Sequence, residues 1–132
     1  MAATRTEPVL RLQGLHKTYH LGTHVVPALQ GVDLALQRGE MLALTGPSGS
    51  GKSTLLNIAG LIDGADSGRV ALSGRPVDRL DEQAATLLRR DAIGFVFQNF
   101  NLVPVMTVAE NVDYPLFIAG VAPAERRQRV AD

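Results

Sequence analysis

Residues 46–54 read Gly46-Pro47-Ser48-Gly49-Ser50-Gly51-Lys52-Ser53-Thr54, and no other stretch of the chain restricts its fold so tightly. The spacing is that of a phosphate-binding loop. Its glycines, Gly46, Gly49 and Gly51, permit backbone conformations that side chains forbid. Just upstream, Met41-Leu42-Ala43-Leu44-Thr45 is a short apolar run suited to a buried strand. Just downstream, Ser53 to Ala59 is compatible with a helix anchored by Leu55, Leu56 and Ile58. Strand, glycine turn and helix together separate a site from a chance glycine turn.

Each residue type in the loop has a chemical reason. A triphosphate needs many donors and little bulk. The amides of residues 49–54 can point inward at phosphate oxygens, and a helix starting near Lys52 adds unpaired N–H groups and a positive dipole end. Lys52 is predicted to reach the outer phosphates as a mobile ammonium. The Ser53 hydroxyl is placed to ligate Mg²⁺, and Thr54 to donate to the inner phosphate.

Composition narrows the remaining classes. At 132 residues the chain suffices for one modest domain with a real core. It carries 13 basic and 13 acidic side chains, so nothing points to a nucleic-acid surface. There is no cysteine, hence no disulfide frame and no thiolate metal site. The start, Met1 to Pro8, lacks the apolar stretch of a signal peptide, and no run approaches the ~20 apolar residues that span a bilayer. A soluble, intracellular chain is expected, with any membrane crossing left to another polypeptide.

Along the chain, residues 1–8 read as a loose tail. Residues 9–12 form a first strand, and residues 16–27 a loop or hairpin approach. Val32, Leu34 and Leu36 alternate with polar or small residues as in a half-buried strand. Arg38-Gly39 turns that strand into the one at 41–45, predicting a hairpin. Residues 63–68 are a loop, 69–72 a short strand, and 81–90 a polar helix. Ile93 to Phe97 reads as another buried strand, ending at Gln98. Thr107-Val108-Ala109-Glu110 is a capping box opening a helix toward Ile118, interrupted at Pro115. Pro123 begins a further helix over 124–131.

The order of these features resembles the ATP-binding subunit of an ABC transporter. Tyr19 lies upstream in His16-Lys17-Thr18-Tyr19, followed by the phosphate loop, the Asp66-Ser67-Gly68 turn and Gln98. The stretch from Gly94-Phe95-Val96-Phe97-Gln98-Asn99 to Leu102-Val103-Pro104, then Thr107 to Val112, is the most specific part. It looks like the branch of lipoprotein-release and macrolide- or peptide-export ATPases, over about residues 9–132.

The resemblance implies an α/β fold, the P-loop NTPase core of ABC ATPase type, truncated, with an antiparallel β part and the start of the helical subdomain. Residues 9–98 would be a partial nucleotide-binding core and 99–132 the helical start, cut short. The implied cofactors are ATP and Mg²⁺. Gly46, Pro47, Ser48, Gly49, Ser50, Gly51, Lys52, Ser53 and Thr54 would hold the phosphates. Tyr19 would stack on adenine; the alternative is a tyrosine packed in a hairpin. Gln98, with Ser53, would touch Mg²⁺ or the attacking water; the alternative is an amide capping a strand end. Residues 99–112 would face a transmembrane permease subunit, placing the chain on the cytoplasmic face of the cell membrane. The full-length protein would form a homodimer of ATP-binding subunits.

The family's second half is not found. There is no Leu-Ser-Gly-Gly-Gln-type signature, no later strand ending in an acidic pair and no switch histidine. The sequence reads as an N-terminal fragment that binds nucleotide without turning it over, with the strand at 41–45 on an unprotected edge. A non-catalytic docking fragment or a different P-loop NTPase is the competing reading; an Asn-Lys-x-Asp guanine reader is absent. His16, His20 and His24 recur every four residues, but Gly22 argues against the helix that would make them a metal site. Asp63 and Asp66 are read as turn residues.

Overall fold

In the first strand, leucines 10 and 12 share a face, yet Leu15 breaks the period of two. A computed structural model describing residues 7–132 resolves this with a bulge. Strand β1 (Leu10–Leu21) pairs antiparallel with β2 (His24–Leu36), and Leu12 faces Leu34 while Leu15 faces Val32. Gln13 and Gly14 thus oppose Asp33 alone. The Asp33 carboxylate accepts the Gly14 N–H at 2.7 Å, and Gly14 takes φ 56°, which its missing Cβ allows. The extra residue returns Leu15 to the inner face, where it is fully buried. Gly31 and then Ala28 are the extra residues on β2 at the next two register shifts.

Strand β3 (Ser67–Leu72) adds to the other side of β1, and β4 (Arg75–Pro76) pairs with β3. The sheet order is β2-β1-β3-β4, antiparallel throughout. Helix α1 (Lys52–Ala59) lays Leu55 and Ile58, three residues apart, on one side. With Leu12, Leu15, Leu29, Val70 and Val77 they form the core. Burying each leucine or isoleucine contributes about 1.5–3 kcal/mol of transfer free energy. Helix α2 (Glu82–Ala92) starts where Asp81 accepts the Ala84 N–H at 2.7 Å.

The chain divides into two compact units, one ending at Arg89 and one spanning Arg90–Asp132. In the second, α3 (Val108–Ile118) has the predicted capping box: Glu110 N–H donates to Thr107 Oγ1, and the Glu110 carboxylate accepts from the Thr107 N–H at 2.7 Å. Pro123 occupies the first turn of α4 (Pro123–Ala131). Arg126 of α4 pairs with Asp113 at 3.0 Å and lies 5.0 Å from the Phe117 ring centre.

Residues 16–27 take the hairpin form of the two expected and no loop: β1 runs to Leu21, and β2 begins at His24 after a tight turn at Gly22 and Thr23. Two local expectations fail. The hairpin expected around Arg38-Gly39 is absent, because β2 pairs back onto β1; only the turn forms, with the Glu40 carboxylate accepting the Gln37 N–H at 2.7 Å. Residues 41–45 and 93–97 form no ladder, and Met41 and Val96 are 97% and 102% exposed. Apolar side chains make a segment strand-competent, but a strand also needs a neighbour for its N–H and C=O groups. Among the described residues neither segment has one. Of the tail assigned to 1–8, residues 1–6 lie outside the described residues, and Pro8 is buried.

Candidate nucleotide site

The phosphate loop is shaped by its glycines and closed by its lysine. Gly46, Gly49 and Gly51 take φ 148°, 79° and 86°. At Gly51 a Cβ would lie 2.4 Å from the Ala28 carbonyl oxygen, so conformation and space both demand glycine there. That carbonyl belongs to a bulged residue of β2, so the loop is seated directly on the sheet. Ser50 N–H closes a turn onto the Pro47 carbonyl at 3.3 Å.

Lys52 folds back over this turn. Its ammonium donates to the carbonyls of Gly46 at 2.8 Å and Pro47 at 2.6 Å, and to Ser50 Oγ at 3.1 Å. Among the described residues no carboxylate pairs with it. Helix α1 begins at the same point with Gly51 as its cap, no capping side chain and no acidic residue in its first turn. The opening amides and the dipole therefore face the loop uncompensated. Ser53 is exposed and Thr54 half-buried at this helix start. Main-chain donors and one cation gathered at this turn fit a polyphosphate.

Tyr19 lies on β1 opposite Val26, two residues from Ala28, where the phosphate loop meets the sheet. Its ring is half-buried, and its hydroxyl donates to Asp63 Oδ2 at 2.8 Å. Lys17, on the same face of β1, donates to Asp63 Oδ1 at 2.9 Å and to the Gly64 carbonyl at 2.6 Å, with its ammonium 5.3 Å from the Tyr19 ring centre. Burial alone would raise the Asp63 carboxyl, but the hydrogen bonds from Lys17, Tyr19 and the Gly64 N–H hold it below the usual carboxylate range. Lys17 is pushed up, chiefly by its hydrogen bond to Asp63 and against the effect of its own burial. Sequence reasoning passed over Asp63, whose partner Tyr19 is 44 positions away.

Gln98 lies in the second unit, exposed, in a turn rather than at the end of a strand. Phe100 and Asn101 just after it have φ 50° and 52°. The Asn111 side chain ties residues 103–107 to α3, accepting the Val103 N–H at 2.8 Å and donating to the Thr107 carbonyl at 2.9 Å. His16, His20 and His24 fall on strands, and among the described residues no group of three or more His, Asp or Glu side chains could hold a metal. A magnesium site here fits only an ion carried largely by phosphate oxygens and water, with one or two protein oxygens added, as is common for this cation. The exposed Ser53 hydroxyl at the helix start would be such an oxygen.

A glycine phosphate loop feeding a helix, seated on an antiparallel sheet and followed in sequence by a helical unit, is an α/β P-loop fold of the ATP-binding-cassette type. Residues 29–132 match the family model described as ABC transporter, and the chain belongs to that family. It is 49% identical over 122 residues to the macrolide export ATP-binding/permease protein MacB of Marinobacter nauticus, covering 92% of this chain and 19% of that protein. It is 47% identical over 125 residues to the lipoprotein-releasing system ATP-binding protein LolD 1 of Rhodopseudomonas palustris, covering 94% of this chain and 55% of that one. Two solved structures of the ATP-binding cassette MJ0796 share the fold. One, a dimer, has TM-score 0.84 and 43% identity over 91% of this chain and 53% of that chain. The other, also dimeric and bound to ADP and Pi, has TM-score 0.85 and 42% identity over 92% of this chain and 54% of that chain. The chain thus spans about a fifth of MacB and just over half of LolD 1.

Proposed function

We propose that this chain supplies the ATP-binding part of a transport ATPase and, taken alone, binds Mg²⁺-ATP without turning it over. The observation that carries the reading is Lys52. Among the described residues its charge is met by neutral oxygens alone, so phosphate oxygens can take over those bonds with no ion pair to break. The main-chain N–H groups of Gly46 and of residues 48–54 enclose the phosphates, and Pro47, which has no N–H, shapes the turn. Ser53 supplies its hydroxyl to magnesium, which screens phosphate charge when bound. Gln98 adds an amide oxygen to that ion or to the attacking water, and Tyr19 offers a stacking face for adenine. An amide cannot serve as a general base, and hydrolysis also requires the transition-state charge to be stabilised.

Residues 9–98 act in this reading as a partial nucleotide core and 99–132 as the start of a helical subdomain. Residues 99–112 face a transmembrane permease at the cytoplasmic surface of the membrane. Exposed Phe100, Leu102 and Val105 support that docking role. Among the described residues no helix is long and apolar enough to cross a membrane. Full-length relatives in this scheme work as homodimers that export a compound or release lipoproteins.

Calorimetry with magnesium and a slowly hydrolysed ATP analogue tests the core of the proposal. Lys52→Ala is expected to weaken binding about 10–100-fold, the loss of one or two charge-assisted hydrogen bonds. An unchanged dissociation constant overturns it. Steady ATP hydrolysis that Lys52→Ala abolishes overturns the statement that the isolated chain does not turn over.

A further inference from the structure

Helix α1 connects two separate features of the first unit. Its N-terminus emerges from the phosphate loop at Gly51, and the chain leaving its C-terminus reaches Asp63. Over 8 residues it is about 12 Å long, comparable with an extended nucleoside triphosphate. The loop after it is tied to β1 at several points. Asp63 accepts from the Tyr19 hydroxyl and the Lys17 ammonium, and also from the Gly64 N–H at 2.7 Å. Asp66 accepts the Thr18 N–H at 2.6 Å and returns its own N–H to the His16 carbonyl at 2.9 Å. Asp66 belongs mainly to the backbone closure, with its carboxylate 3.9 Å from the Lys17 ammonium. Asp63 is the one that hydrogen-bonds both side chains, Lys17 and Tyr19, which meet at one aromatic ring.

That ring has few degrees of freedom left. Its hydroxyl is fixed at one end by Asp63, and the Lys17 ammonium lies over one face. A planar base can therefore use only the opposite face, at an angle set by the loop after α1. We infer that Asp63 is a positioning residue of the nucleotide site, acting through Tyr19 and Lys17 to fix the plane on which the base stacks. The inference rests on the proposed nucleotide reading and adds a residue to it. It predicts that the carboxylate matters for the base and not for the phosphates.

The test separates those two ends of the ligand. The full chain is titrated with Mg²⁺-ATP and, in parallel, with Mg²⁺-tripolyphosphate, which has the phosphates and no base. Asp63→Asn and Tyr19→Phe are each expected to weaken ATP about three- to tenfold, while tripolyphosphate changes by less than about twofold. The two losses should not add in the double variant, because both act on the same Tyr19–Asp63 contact, one weakening its acceptor and the other removing its donor. The chain has two tyrosines and no tryptophan, so Tyr114→Phe leaves Tyr19 as the sole intrinsic fluorophore. In that background Asp63→Asn should change Tyr19 emission before any nucleotide is added. If Asp63→Asn fails to fold by circular dichroism, Tyr19→Phe decides, since it keeps the Lys17–Asp63 pair.

Equal losses for both ligands, or no loss for ATP, overturn the inference and leave the phosphate site standing. Equal wild-type affinity for ATP and tripolyphosphate also overturns it, by removing the base contact itself. Binding of neither ligand by the wild type defeats the nucleotide reading and this inference with it.

Discussion

Segments 10–15 and 41–45 are comparably apolar, yet one is the centre of a sheet and the other carries no ladder. Leu15 is 0% exposed and Met41 is 97% exposed. The difference lies in what surrounds them. Strand β1 has β2 on one side and β3 on the other, both paired antiparallel to it. Residues 41–45 sit between a turn and the phosphate loop with no neighbour to pair with among the described residues. Segment 93–97 repeats the pattern, and Phe95 and Phe97 stack on each other at 5.6 Å. Local sequence confers strand competence; a hydrogen-bonding partner converts it into structure.

The sharpest way to break this comparison is to truncate one side chain from each class. Leu15→Ala should cost about 2–5 kcal/mol, because it leaves a cavity among Leu12, Leu29 and Ile58. Met41→Ala should stay within about 0.5 kcal/mol, as for exposed sites generally. Urea midpoints at constant slope measure both. A large loss at Met41 would mean that segment 41–45 is paired in solution, and the contrast would collapse.

The second unit offers a smaller version of the same contrast. Among its described residues none falls in the buried core, so α3 leans on its own ends. Thr107→Ala should cost about 1 kcal/mol by freeing the Glu110 N–H and releasing the Glu110 carboxylate. Hydrogen exchange at the first turn of α3 should speed up while β1 amides keep their protection. Matching acceleration in β1 would show that the capping box supports more than its own helix.

What could be read from the sequence follows the range of the interactions involved. The phosphate loop was legible because its function lies in consecutive residues: Gly51 is required by its own φ and Lys52 closes a ring with residues 46–50. The capping box at Thr107 and the proline start at Pro123 were legible for the same reason. The bulges at Gly14, Ala28 and Gly31 were not, because each breaks the period of two from which strands are recognised. That is why 16–27 read only as a loop or hairpin approach and not as two long strands. Segments 41–45 and 93–97 misled in the opposite direction, since composition says nothing about a partner. Asp63 was hidden for lack of any local signal; only the fold brings Lys17 and Tyr19 to it.

Acidity gives the mildest probe, because it disturbs the Asp63 cluster without altering a side chain. In the folded chain Asp63 titrates below its usual range and Lys17 above it. For the carboxylate, the stabilisation is fully present above its unfolded value of about 3.9 and is lost as pH falls through the lower folded value. For the ammonium it is present below about 10.4 and is lost as pH rises through the higher folded value. The pair should thus contribute a flat plateau between about pH 5 and 9, eroding at both ends. Other carboxylates titrate in the same acid range, including Glu110 and Asp91, so the wild-type curve alone is not diagnostic. The difference between wild type and Asp63→Asn isolates the cluster. That difference should be constant on the plateau and shrink below pH ~4, as the wild-type carboxyl becomes neutral like the amide. A difference that persists undiminished into acid would mean the carboxylate's charge is not what holds the loop to β1, leaving shape and hydrogen bonding alone to do so.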